Sequence, residues 1–364
     1  MPDIRAGQIT AFYLFDIAEA VDLAALPRLI GGEPVPARLA PKPPTPAYVQ
    51  YQTPPLSFDS DAVGMGDIDG FKVRFRVYDY GVVSVALTQA FSGTWVDLIG
   101  IGHRVLENAV LDARAEAACQ RLAERLRPAL ASPRHSHLSE DYVVFSVYEL
   151  ERPLSSDDLI ETHGEEIALL LRGEKVALSR QEKEEVLRHR LSYLANDLVI
   201  PTWNAALVYD TDAGSQAALE LLEFANSQLL EFRYYDDLLD DELTRIYAQL
   251  QTPRRWYEML GGRQARAARH VHALFIEVNE LTDKTENALK IVGDIYAARL
   301  FSLAVARLGL DRWKASVQEK LKTLDDIYRF AVEQAGMSRG TFLELTIVLI
   351  LIFELILLLL GIMH

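Results

Sequence analysis

The chain of 364 residues has a single cysteine, Cys119, and fewer basic than acidic residues. One cysteine excludes intrachain disulfides and CxxC metal sites. Because Cys119 lies within an amphipathic helical pattern, ENAVLDARAEAACQRLAERL, we expect a core or boundary thiol. The 37 Lys and Arg against 52 Asp and Glu leave a net charge of −15, which argues against a nucleic-acid-binding surface. Direct sequence-specific binding of nucleic acid is therefore not expected.

The sequence also lacks the patterns that catalysis and secretion require. GMGDIDG at residues 64–70 follows a proline-rich stretch rather than a strand, and IGIGH at residues 99–103 lacks the Lys-Ser/Thr of a phosphate loop. No nucleophile, base and orienting group stand out together. We therefore predict no catalytic residue, no metal site, no cofactor and no enzymatic activity. The N-terminal residues lack the basic flank and apolar run of a signal peptide, which predicts that the bulk of the chain stays in the cytosol.

A long apolar run, LELTIVLILIFELILLLLGIM, occupies residues 343–363. As a helix rising about 1.5 Å per residue, it would cross a hydrocarbon core of roughly 30 Å. We predict one C-terminal transmembrane helix, which makes the protein tail-anchored and single-pass. The excess of Lys and Arg before the run agrees with the positive-inside rule.

Two glutamates interrupt this run. Glu354 would lie near the bilayer centre, at a cost of roughly 2.5–3.5 kcal/mol, so we expect its carboxyl to face another helix. The predicted stripe for helix association consists of Glu344, Ile347, Leu351 and Glu354. The alternative is that Glu354 is tolerated as a neutral acid.

Composition divides the rest of the chain. We predict the first strand and helix of a head domain over residues 1–33, and a proline-rich linker or insert over residues 34–57. The α+β head continues over residues 58–210, a helical stalk or bundle follows over residues 211–335, and a glycine-containing hinge occupies residues 336–342. The predicted fold class is thus an α+β head domain, a long helical hairpin or coiled-coil stalk, and one C-terminal transmembrane helix.

Residues 71–87, FKVRFRVYDYGVVSVAL, alternate between polar and apolar side chains. This period predicts a β-hairpin whose turn contains Asp79, Tyr80 and Gly81. One face of its first strand carries a basic row, Lys72, Arg74 and Arg76. We expect this row to pair with carboxylates or to protect an exposed edge, and anion binding is the alternative.

A cluster of acidic residues follows in the predicted stalk, with like charges one helical turn apart: Asp236, Asp237, Asp240 and Asp241. Three arginines come after the predicted turn, at Arg263, Arg266 and Arg269. An antiparallel hairpin brings such stretches together, so we predict structural charge pairing in the stalk. Binding of a divalent ion by the acidic row is the alternative.

Several segments resemble the required-for-meiotic-nuclear-division family, a group of proteins with a domain of unknown function. They are LLEFRYYDDLLDDELTRIYAQL with the following Thr252-Pro253 and Trp256, HALFIEVNELTDKTENALKIVGDIYAARL, and the apolar tail with its Glu. VYDYGVVSV resembles the aromatic-Gly-Val strand motif of that family. The resemblance covers residue 71 to the C-terminus. It implies an α+β head, a coiled helical region, a membrane helix and no known activity.

Mitochondrial members of that family form large homo-oligomers in the inner membrane and support organellar translation. This chain lacks an Arg-rich transit peptide, which favours the bacterial cytoplasmic membrane. The resulting prediction is a tail-anchored, homo-oligomeric membrane scaffold. Its expected partners are further copies of itself, the lipid bilayer, and an unknown cytosolic protein or the ribosome. The alternative is an oligomeric ion channel or transporter-like assembly with a ring of single transmembrane helices.

Overall fold

The fold was analysed in a computed structural model, which describes residues 3–31, 35–36, 54–106, 108–134, 138–251, 273–280, 282–283, 295–327, 329 and 347–348. These residues belong to two compact units. The first contains residues 1–234 together with 281–314, and the second contains residues 235–280 together with 315–364.

A mixed β-sheet forms the centre of the first unit. Within the described ranges its eight strands are β1 (Ile4–Asp16), β3 (Val35–Pro36), β4 (Leu56–Asp59), β5 (Lys72–Val77), β6 (Val82–Gly93), β8 (Ser139–Leu150), β9 (Leu198–Pro201) and β10 (Ala205–Tyr209). Their order is β3-β4-β5-β6-β1-β8-β10-β9, and only the β8–β10 pair is parallel. Two short strands, β2 (Ala18–Val21) and β7 (Leu130–Pro133), form a separate antiparallel pair.

The hairpin predicted over residues 71–87 is confirmed. β5 pairs with β6 from Lys72↔Thr88 to Val77↔Val83, and the turn between them contains Asp79 and Tyr80. β5 also pairs with β4 on its other side, so the basic strand is not an edge strand and needs no edge protection.

The first face of the sheet packs against helices. These are α1 (Leu26–Ile30), α2 (Trp95–Leu106), α3 (Ala109–Leu126), α4 (Ser156–Arg172) and α5 (Arg180–Arg188). Side-chain caps set several helix starts, because Asn108, Ser155 and Ser179 each accept a hydrogen bond from a first-turn amide. The core on this side contains Val73, Phe75, Val85, Phe145 and Leu207 from the strands. Cys119 lies in the same core, as predicted, and burial raises the pKa of its thiol.

The second face of the sheet contacts two further helices, α6 (Asp212–Gln251) and α7 (Ile295–Leu308). Thr211 caps α6 by accepting a hydrogen bond from the Gly214 amide. Phe224 of α6 lies against Phe301 of α7, with ring centroids 5.6 Å apart. Tyr80 and Ser227 share a hydrogen bond of 2.6 Å, which ties α6 to the β5–β6 turn. The sheet therefore separates two layers of helices.

The second unit is helical throughout its described residues. It contains the C-terminal part of α6 and the helical residues 273–280, whose Leu274 and Val278 are buried. Tyr235 donates a hydrogen bond of 3.4 Å to Glu277 within this unit. Lys320 forms ion pairs with Asp236 at 2.9 Å and with Asp240 at 2.6 Å. Apolar and ionic contacts thus both join its helices.

The predicted membrane anchor is not supported. Across the part of the chain that the structure describes, no helix combines the length and the apolar composition needed to cross a bilayer. The long helix α6 carries charged residues throughout. Of the predicted span, the structure describes only Ile347 and Val348, so Glu344, Leu351 and Glu354 lie outside the described residues. The predictions of a single-pass anchor and of a bacterial cytoplasmic-membrane localisation are therefore corrected, whereas contact with a bilayer stays a prediction.

The predicted fold class is corrected in the same way. The described chain is an α+β fold built on a large mixed sheet, and its described helices provide no transmembrane segment. The sequence predicted a helical stalk or bundle over residues 211–335, and in the structure residues 212–251 form one continuous helix. In the structure the first part of α6 lies on the sheet, because its polar side chains form ion pairs with residues of the strands.

Candidate functional site

The second face of the sheet is polar at one end. Alternation along β5 places Lys72, Arg74 and Arg76 on this face, while Val73 and Phe75 enter the opposite core. The cross-strand neighbours on β6 and β1 are small or uncharged: Thr88 and Thr10 beside Lys72, and Ala86 and Phe12 beside Arg74. A basic row therefore lies at the edge of an uncharged, partly hydroxylated surface.

A partly open groove of about 510 Å³ lies over this surface. Gln8, Thr10, Thr88 and the basic row contribute to its floor. The first turns of α6 line one side of the groove through Gln216, Leu219, Glu220 and Glu223. The end of β4 and the segment after it line the groove through Asp59, Asp61 and Asp67. The volume falls within the roughly 300–1,000 Å³ that is typical of small-molecule sites.

Arg76 is the buried arginine of the basic row. Its guanidinium forms ion pairs with Glu220 at 3.3 Å and with Glu223 at 2.6 Å, and its Nε donates to Ser57 at 3.0 Å. The Arg76 side chain is only 9% exposed, against 57% for Arg74, which pairs with Asp59 at 3.1 Å. The prediction that the basic row pairs with carboxylates is confirmed for both arginines.

Glu220 is the most unusual group in the groove. One of its oxygens pairs with Arg76, while the other, Oε2, is buried and has no hydrogen-bond partner among the described residues. Burial raises the pKa of Glu220 to about 7; the charge of Arg76 opposes this shift, and the neighbouring Glu223 adds to it. A carboxyl group with a raised pKa and a free oxygen in a cleft is a candidate for ligand binding.

Two more ion-pair groups join α6 to residues of the strands and loops. Arg134 pairs with Asp16 at 2.9 Å and with Glu231 at 3.7 Å, and its guanidinium lies 4.1 Å from the centre of the Tyr234 ring. Arg233 pairs with Glu140 of β8. Since buried ion pairs contribute little net stability but are costly to break, these contacts specify the position of α6 more than they strengthen the fold.

These buried carboxyls make the stability depend on pH. Burial raises the pKa of Glu140 from 4.5 to about 7, against the opposing charge of Arg233, so the folded state keeps a proton that the unfolded chain has released. The free energy of unfolding should therefore fall as pH rises from about 4.5 to about 7, by at most a few kcal/mol per group.

Glu140→Gln should reduce this slope, because glutamine has no proton to release. Urea unfolding at pH 5 and pH 7.5 measures the slope. Glu149→Gln, at an exposed residue that pairs with Arg5 at 3.4 Å, is the control and should keep the wild-type slope. Equal slopes for wild type and Glu140→Gln would contradict the assigned shift.

The residues predicted as sites do not meet in this groove. Asp236 and Asp240 form ion pairs with Lys320 in the second unit, while Arg263, Arg266 and Arg269 lie outside the described residues. The predicted pairing of these arginines with the acidic row, including Asp237 and Asp241, therefore stays a prediction. In the described part of the chain no group of three or more His, Cys, Asp or Glu residues is placed to hold a metal ion.

Sequence reasoning identified the basic row but missed Glu220 and Glu223. A signal existed, since polar residues recur along one side of α6 at spacings of three and four: Glu220, Glu223, Ser227 and Glu231. In a helix with many buried leucines, such a stripe indicates a polar partner surface. Nothing in the local sequence identifies Arg76 as that partner.

The fold and the groove together define a class of α+β protein with a charged groove on one face of a mixed sheet. The chain belongs to the family described as uncharacterized protein MJ0711, N-terminal domain, which matches residues 6–216. This range begins at the third residue of β1, contains the other nine strands of the described residues, and ends at Gln216, in the second turn of α6.

A relative is the uncharacterized protein MJ0711 of Methanocaldococcus jannaschii, which is 24% identical over 218 residues. The alignment covers 60% of this chain and 65% of that protein, slightly less than two thirds of its length. No solved structure matches the chain. The resemblance to the required-for-meiotic-nuclear-division family stays a prediction that these comparisons do not test.

Proposed function

We propose that the α+β unit is a non-catalytic module that binds a small polar ligand in the groove between β5 and α6. The observation that carries this proposal is the groove itself, about 510 Å³ in volume, whose lining residues include Glu220 with its buried, unpartnered Oε2. A buried acceptor without a donor is unfavourable, and a ligand that donates a hydrogen bond removes that cost.

The chemistry of the lining favours binding over catalysis. The described residues that line the groove include neither histidine nor cysteine, and their carboxylates and arginines are largely engaged with each other. Rigid, paired charges around a few free polar groups are typical of sites that recognise a ligand.

A homo-oligomeric scaffold that recruits a cytosolic protein or the ribosome stays compatible with this proposal, because a ligand-binding module can also recruit a partner. Sedimentation of the purified protein tests the predicted self-association. The channel-like alternative depended on a ring of membrane helices, so it is withdrawn with the anchor.

Filling the groove should abolish ligand binding. Thr88 lies on the floor beside Lys72 and Thr10, and Thr88→Phe would place a ring in the open volume. We expect that, in a panel of amino acids, amines, sugars, nucleotides and small carboxylates at millimolar concentration, at least one compound raises the melting temperature of the wild type.

The same compound should leave Thr88→Phe unchanged. Val176→Phe is the matched control, because residue 176 is 74% exposed and lies outside the groove lining. It should respond to the compound as the wild type does. The absence of any response in the wild type, or an equal response in Thr88→Phe, would reject the proposed function.

A further inference from the structure

The charges that remain free in the groove are of both signs. Arg76 and Arg74 are already paired with carboxylates, whereas Lys72 has no ion pair among the described residues. On the acidic side, Oε2 of Glu220 has no donor, and neither Asp61 nor Asp67 has an ion pair within the described part of the chain. A ligand therefore finds one free cation at one end and free acceptors elsewhere in the groove.

The strand geometry separates these two ends. Lys72 and Arg76 lie on the same face of β5, four residues apart, which places their Cα atoms roughly 13 Å from each other. Glu220 is held beside Arg76 by the 3.3 Å ion pair. Because Lys72 and Glu220 both line the groove, and the Glu220 side chain is 15% exposed, one small, extended ligand can contact both residues.

We infer that the groove binds a small zwitterionic ligand, whose cationic nitrogen contacts Glu220 and whose anionic group contacts Lys72. The inference rests on the proposed function and specifies its ligand class. A purely anionic ligand finds only Lys72, since an anion at either arginine must displace Asp59, Glu220 or Glu223. A purely cationic ligand leaves Lys72 unpaired. A ligand with opposite charges at its two ends can pair with Lys72 and with Glu220 at the same time.

The protonation of Glu220 gives this inference a second readout. The groups that face its carboxyl are Arg76 and Arg74 on β5 and Glu223 on α6, and burial raises its pKa to about 7. A bound ammonium favours the ionised carboxylate, so binding releases a proton below pH 7. The affinity for a ligand with an ammonium group should therefore increase as pH rises from 6 to 8 in the wild type. It should not do so in Glu220→Gln.

Three matched probes test the inference on the full-length protein: 6-aminohexanoate, which carries both charges, hexylamine, which carries only the ammonium, and hexanoate, which carries only the carboxylate. NMR titration gives a Kd for each. We expect 6-aminohexanoate to bind about tenfold more tightly than either singly charged probe.

Two variants test the contact at Lys72 and the contact at Glu220 separately. Lys72→Gln should abolish the advantage of 6-aminohexanoate over hexylamine and keep its advantage over hexanoate. Glu220→Gln should abolish the advantage of 6-aminohexanoate over hexanoate and keep its advantage over hexylamine. Lys72 is exposed and has no ion pair among the described residues, so the Lys72 variant remains informative if Glu220→Gln disturbs folding.

The outcomes distinguish the two proposals. If the singly charged probes bind as tightly as 6-aminohexanoate, or if the variants leave the ratios of Kd unchanged, the zwitterion inference is wrong and the groove is still a binding site. If other panel compounds bind and 6-aminohexanoate does not, the inference is also wrong. If no compound binds, the proposed function itself fails.

Discussion

Arg76→Ala is expected to lower the free energy of unfolding by about 3–5 kcal/mol, because it leaves two buried carboxylates without their counter-charge. The side chains of Glu220 and Glu223 are only 15% and 4% exposed, so water cannot replace the guanidinium efficiently. The variant also removes the hydrogen bond from Nε to Ser57. Equilibrium unfolding in urea measures the change.

Arg74→Ala is the matched control, two residues away on the same strand and the same face. Its pair with Asp59 is 57% and 69% exposed, and such pairs contribute at most about 1 kcal/mol. Adding Glu220→Gln and Glu223→Gln to Arg76→Ala should recover part of the loss, because amides need no counter-charge. A similar loss of unfolding free energy in Arg76→Ala and Arg74→Ala would show that the burial of an ion pair does not determine how much its removal destabilises the protein.

Gly81→Ala is expected to destabilise the protein by at least about 3 kcal/mol, or to prevent folding, because the position allows no Cβ. Gly81 has a φ of +94°, and a Cβ there would lie 1.7 Å from the carbonyl oxygen of Ala18. Moving the segment around Gly81 away from the segment around Ala18 would break the hydrogen bond of 3.0 Å from the Ile17 amide to the Gly81 carbonyl.

The control for this change is Gly64→Ala. Gly64 also has a positive φ, +70°, but a Cβ there meets no atom within 4 Å. Gly64→Ala should therefore lower the free energy of unfolding by roughly 1 kcal/mol, which is the cost of placing alanine in the left-handed backbone conformation. Thermal unfolding of both variants measures the difference. If Gly64→Ala were as damaging as Gly81→Ala, backbone conformation alone would explain both losses.

Local patterns were sufficient for several elements. The alternation in residues 71–87 predicted the β5–β6 hairpin, because the period of side chains along a strand is set by the backbone. The uninterrupted run after residue 210 predicted the long helix α6. By contrast, the apolar residues at 176–178 form no strand, and the apolar stretch at residues 198–209 forms two strands, β9 and β10. Short apolar runs do not specify their partners.

The amino-acid sequence by itself determined which residues form the hairpin, which start and cap the helices, and that Lys72, Arg74 and Arg76 share a face, because these properties depend on neighbours a few residues away. Only the tertiary structure decided that α6 lies on the sheet and that Arg76 meets Glu220, since these two residues are 144 positions apart. The groove exists because β4, β5 and α6 converge there. Such contacts depend on the packing of the whole unit, and no local pattern contains them.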